Sequence, residues 1–125
     1  MRNQLQRAVV ALAQPADIQL SLFPDFVCKA DELALDFEDG LYEMVGHEDQ
    51  FSEDQRAAID ALHNLIFSKS GEQHASFWKE TAVRKHPFWE IIRIAAKEAA
   101  VTCGWDLHSL PPSDAVYVPA HTNGD

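Results

Sequence analysis

A chain of 125 residues, 46% hydrophobic and 24% charged, has ordinary globular composition. That excludes wholesale disorder and fibrous repeats, and predicts one domain that buries a core without disulfide or metal staples. Twenty Asp and Glu against ten Lys and Arg leave a formal charge of −10, which repels nucleic acid phosphates and anionic lipid and favours basic partners.

Leu5, Ala8, Val9 and Leu12 recur at helical spacing and Pro15 ends the pattern, predicting a first helix from about Asn3 to Gln14. Its apolar run, Ala8 to Ala13, is shorter than the ~7–15 residues a secretory signal core requires. No stretch approaches the ~18 apolar residues of a membrane span. In residues 16–23, Ile18, Leu20 and Leu22 alternate, but no partner strand is evident, so the segment reads as an apolar linker laid on the core. From Pro24 onward, Phe26, Ala30, Leu33, Phe37, Leu41 and Met44 step by three and four, predicting a second helix that Gly46 stops. A strand through Leu33, Leu35 and Phe37 explains a far shorter stretch. Gly40 inside the helix costs up to ~1 kcal/mol relative to Ala and marks a bend or break.

Ser52 and Gln55 have the spacing of a capping box, so a third helix starts there, burying Ala58, Ile59, Leu62, Leu65 and Ile66 and ending over Ser68 to Gly71. Phe77, Trp78, Ala82 and Val83 predict a shorter fourth helix, with Glu80 and Arg84 paired at i,i+4. Pro87 opens a fifth, the most apolar and hence the central one, whose polar face is Glu90, Arg93, Lys97 and Glu98. Gly104 closes it. Pro111, Pro112 and Pro119 bar another helix, so Trp105, Leu107, Leu110 and the Val116-Tyr117-Val118 run predict an extended strap, followed by a loose tail over 121–125. The expected fold is all-α: a single-domain irregular bundle of about five helices over residues 1–120, with an extended Pro-containing C-terminal strap.

Charge is concentrated in one region. Residues 25–54 hold eleven acids and one base, a net of −10 that equals the excess of the whole chain. At ~100° per residue, Asp25, Glu32, Asp36, Asp39 and Glu43 fall within roughly 60° of one another, nearly opposite the apolar stripe. Such like charges cost an isolated helix ~0.2–0.5 kcal/mol per pair, which selection for stability alone does not favour. Leu35 and Tyr42 fall beside this ridge, away from the stripe. Charges that steer a partner next to an apolar anchor are the ingredients of a binding surface, so these seven residues are the candidate partner-binding set. The competing reading is a merely solubilising face, with Leu35 and Tyr42 covered by the linker or the strap.

A weaker alternative gathers Asp39, Glu43 and His47, at i,i+4, with Asp60 and His63, at i,i+3, around a metal ion. Gly46 ends the helix before His47, and neither Glu-x-x-His nor His-Glu-x-x-His occurs, so no metal and no cofactor is assigned. Cys28 and Cys103 match no metal-ligand spacing and read as ordinary buried thiols of a reducing, cytoplasmic environment. Burial at the end of an apolar helix quiets Cys103 as a nucleophile. There is no Gly-rich loop, Gly-x-Ser-x-Gly or Walker pattern. The cluster Phe77, Trp78, Phe88 and Trp89 reads as core at a helix corner, with a ligand pocket between helices as the alternative. Enzymatic activity is left open and weighted against. The expected function is a non-enzymatic acidic protein-binding module, comparable in charge and size to an immunity or antitoxin-type inhibitor of a basic toxin. The alternatives are a metal-dependent or small-molecule-handling helical enzyme and a structural subunit of an assembly.

Overall fold

The computed structural model describes residues 4–108 and 110. Within them the chain forms six α-helices: α1 (Gln4–Leu12), α2 (Ala16–Ser21), α3 (Lys29–Met44), α4 (Glu53–Phe67), α5 (Glu80–Lys85) and α6 (Pro87–Thr102). Two 3-10 stretches, Glu48–Gln50 and Glu72–Trp78, complete the set, and no strand occurs among the described residues. The fold is an all-helical bundle, and no described helix is long and apolar enough to cross a membrane.

Helix α1 shares the centre with the fifth predicted helix, α6, which packs against α1, α4 and α5. Leu5 and every residue from Arg7 to Ala13 are buried, and α1 packs against α3 on one side and α6 on the other. Small side chains at Ala8, Ala11 and Ala13 let both neighbours approach. Helix α6 buries Trp89, Ile92, Ala96, Ala99 and Ala100 but leaves Ile91, Ile94 and Val101 exposed.

The segment read as a linker is helix α2. Pro15 precedes its first turn, and the alternation of Ile18, Leu20 and Leu22 does not mark a strand: Leu20 is buried while Ile18 is exposed. What fixes α2 is Gln19, wholly buried, whose Nε2 donates to the Ala11 carbonyl (3.3 Å) and the Leu12 carbonyl (3.0 Å) at the open end of α1. Its Oε1 accepts from Arg93 Nη1 at 2.9 Å, and Arg93 also donates to the Val83 carbonyl and to Glu90 Oε1. Arg93 is therefore buried rather than part of a polar face, because it satisfies polar groups from α2, α5 and α6 at once.

Helix α3 starts at Lys29, five residues later than Pro24, and Phe26 lies outside it and is exposed. Met44 ends it, and Gly46 turns the chain away with φ +85°. The capping box forms with both bonds: Gln55 N–H donates to Ser52 Oγ (3.1 Å) and Ser52 N–H donates to Gln55 Oε1 (3.0 Å). The predicted fourth helix divides into the 3-10 stretch and α5, and Arg84 pairs with Asp17 of α2 instead of Glu80. The aromatic cluster is a packed corner. Phe77 stacks on Trp89 at 5.0 Å, and each indole N–H finds a carbonyl, Trp89 at Phe77 and Trp78 at Lys69.

Trp105, Leu107 and Leu110 pack on the core after α6, and Gln14 Nε2 donates to the Leu107 carbonyl. The Val116-Tyr117-Val118 run and the tail at 121–125 lie outside the described residues.

Candidate functional site

Gly40 decides how α3 presents its charges. A Cβ at that position would stand 2.6 Å from Leu5 Cα, so the absent side chain lets α1 cross in backbone contact. Gly40 and Lys29 are both buried, which turns the buried side of α3 toward the acidic ridge. The ridge is therefore not opposite the core.

Three of its members, Glu32, Asp36 and Glu43, lie half-buried on the flank facing α1. Glu43 Oε1 accepts the Gln4 N–H (3.2 Å) at the start of α1, where a carboxylate is favoured by the helix dipole. Gln4 Nε2 donates to the Asp36 carbonyl at 3.0 Å. Burial raises the Asp36 carboxyl from 3.8 to about 6, with Arg7 drawing it down and Glu32 and Asp39 pushing it further up. Arg7 is itself buried, and its Nε has no hydrogen-bond partner among the described residues. Asp25 precedes α3 and pairs with Lys29 at 3.0 Å. Of the predicted ridge, Asp39 alone is both on the helix and fully exposed.

The outward face of α3 carries a different set. Asp31, Leu35, Glu38, Asp39 and Tyr42 are all exposed, with Leu35 at 50% and Tyr42 at 77%. Neither apolar residue is covered by α2 or by the described residues after α6. No described Lys or Arg forms an ion pair with Asp31, Glu38 or Asp39.

Beside this face runs a groove of about 380 Å³ between α3 and the C-terminal end of α4. Leu35 and Ala34 line it from α3, Ile66 and Phe67 from α4, and Trp78 from the 3-10 stretch. Asp31 and Glu38 line it as well. Phe67 is 62% exposed, its ring 6.1 Å from that of His63. Asp31, Glu38 and Phe67 were missed from sequence, and Trp78 reads there as core of the aromatic corner. The signal for the first two was present, because Asp31, Leu35, Glu38 and Tyr42 step by four, three and four along one face.

The alternative metal residues are not brought together. Glu43 is engaged with α1, His47 caps the Glu48–Gln50 turn, Asp60 is exposed, and His63 sits between the Phe37 and Phe67 rings. Among the described residues no group of three or more His, Cys, Asp or Glu is placed to share an ion. Cys28 is exposed, not buried, with Sγ 3.5 Å from the Trp78 carbonyl. Desolvation raises the pKa of both Cys28 and Cys103, which holds them as thiols.

No protein-family model, no curated protein and no solved structure matches the chain.

Proposed function

We propose that the protein is a non-enzymatic binding module that docks the outward face of α3 on a basic surface of another protein. The observation that carries this reading is the exposure of Leu35 and Tyr42 among Asp31, Glu38 and Asp39, acids without a described cationic partner. An apolar anchor surrounded by charge of one sign supplies affinity from the anchor, and encounter rate and partner choice from the charge. A small acidic inhibitor of the immunity or antitoxin kind, covering the phosphate-binding cleft of a basic nuclease-type toxin, fits the reading. Charge and size are what support that narrower form.

The test is partner binding by variants on this face. Asp36 and Glu43 are unsuited to it, because changing them also disturbs α1. Asp39→Lys combined with Tyr42→Ala is expected to leave helicity intact, to weaken binding of the natural partner by about tenfold or more, and to flatten its salt dependence. Unchanged affinity in the double variant would sink the reading.

A second reading, a subunit of a larger assembly, is favoured by Ile91, Ile94 and Val101 standing exposed on α6. It predicts a molecular mass in solution above that of the monomer, lowered by Ile94→Glu.

A further inference from the structure

We propose that the groove between α3 and the C-terminal end of α4 receives an amphipathic helix from a partner protein. Its apolar anchor is flanked by two Lys or Arg residues seven positions apart. This inference rests on the reading of the protein as a binding module and names what the module recognises.

The lining sets the anchor. Leu35 from α3 and Phe67 from α4 leave large apolar surface in solvent, and Trp78 also lines the groove, so the complementary group is an apolar side chain. The charges set the flanks. Asp31 and Glu38 stand seven residues apart on α3, about 10.5 Å along its axis, and lie on nearly the same side of it. A helix lying alongside α3 repeats with the same period, so cations at i and i+7 meet both carboxylates while the residues between them enter the groove.

Other occupants match less well. Strand addition needs a sheet edge, and the described residues contain no strand. Residues 111–125 of this chain hold Asp114 and Asp125 and no Lys or Arg, so their charge opposes the groove. A second copy is disfavoured because no two Lys or Arg residues of this sequence stand seven apart. Nucleic acid and phosphorylated segments are repelled by Asp31 and Glu38.

The test uses a fluorescein-labelled, Ala-rich helical peptide of about 18 residues with Lys at i and i+7 and Leu at i+3 and i+4. Two controls accompany it, one with the Lys residues moved to the opposite face and one with Glu in their place. Fluorescence anisotropy with the full chain is expected to give saturable binding with Kd on the order of 10 μM. The affinity should fall by at least about tenfold in Asp31→Lys/Glu38→Lys and in Phe67→Ser, and should stay unchanged in Glu98→Lys, a charge reversal on α6. The milder Asp31→Asn/Glu38→Gln pair, checked by circular dichroism, separates lost recognition from lost folding.

Absence of saturable binding up to about 1 mM overturns the inference, and so does equal binding of the peptide with misplaced Lys residues. With the natural partner the two readings fail separately. Binding lost in Asp39→Lys/Tyr42→Ala but kept in Asp31→Lys/Glu38→Lys and Phe67→Ser removes the groove and leaves the α3 face standing. Binding untouched by either set removes both.

Discussion

Half-buried near Arg7, Glu32 and Asp39, the Asp36 carboxyl titrates at about 6 instead of 3.8, chiefly because burial disfavours its charged form. The folded state thus holds a proton that the unfolded chain releases at lower pH. The stabilisation linked to that proton is complete below about pH 4 and is lost as pH rises through 6. Asp36→Asn is therefore expected to raise stability by ~1 kcal/mol at pH 7.5, a figure discounted because water screens a half-exposed group. At pH 4 the gain should vanish, as urea midpoints at the two pH values will show; an equal gain at both would contradict the assignment. Tyr42 calls for the opposite comparison. Being 77% exposed, it is expected to be replaceable by Ala within ~0.5 kcal/mol of stability, so any loss of partner affinity reports contact and not unfolding. At this scale the position of Leu35 and Tyr42 away from the apolar stripe was legible from the helical wheel, but their exposure was not, because it depends on what the rest of the chain covers. Nor was the half-burial of Asp36 and Glu43, because it depends on where α1 crosses.

Gly40 governs that crossing, and its effect belongs to a pair of helices. Propensity alone says that Gly40→Ala stabilises α3 by up to ~1 kcal/mol. The added methyl, however, would meet the Leu5 backbone at 2.6 Å, and backbone cannot swing aside. A net loss of ~1–3 kcal/mol is expected, read as a lowered urea midpoint with unchanged helix content in the native state. A stabilised Gly40→Ala variant would contradict the α1–α3 packing. Ser52→Ala, by contrast, removes a cap made within four residues and should cost ~1 kcal/mol, read the same way. The two positions also show what a sequence discloses about elements. The cap at Ser52 was readable because both partners are local, and the apolar spacing of α1, α4 and α6 was readable for the same reason. Helix α2 was not, because Gln19 is held by Ala11, Leu12 and Arg93, the last 74 residues away. The Glu80–Arg84 pair failed similarly, with Asp17 of α2 closer to Arg84 than its own helix neighbour.

Across the whole molecule, the acids that α3 takes from the charged region 25–54 are divided by the fold into two populations. One, on the flank of α3, is spent within the bundle at the start of α1 and beside Arg7. The other, Asp31, Glu38 and Asp39, faces solvent together with Leu35, Tyr42 and the groove that Trp78 helps to line. The sequence made the concentration of charge plain and the apolar neighbours nearly so. The groove was hidden because its second wall, Ile66 and Phe67, comes from a different helix. Association with a basic partner through this face should slow as ionic strength rises, since exposed charges beyond about 10 Å are screened at 0.1 M salt. The most direct measurement is a backbone amide NMR titration of the labelled chain with its purified natural partner. Shifts concentrated at Asp31 to Tyr42 and at Ile66 and Phe67 are expected, and shifts confined to the outer face of α6, with those residues unmoved, would contradict the docking role of α3.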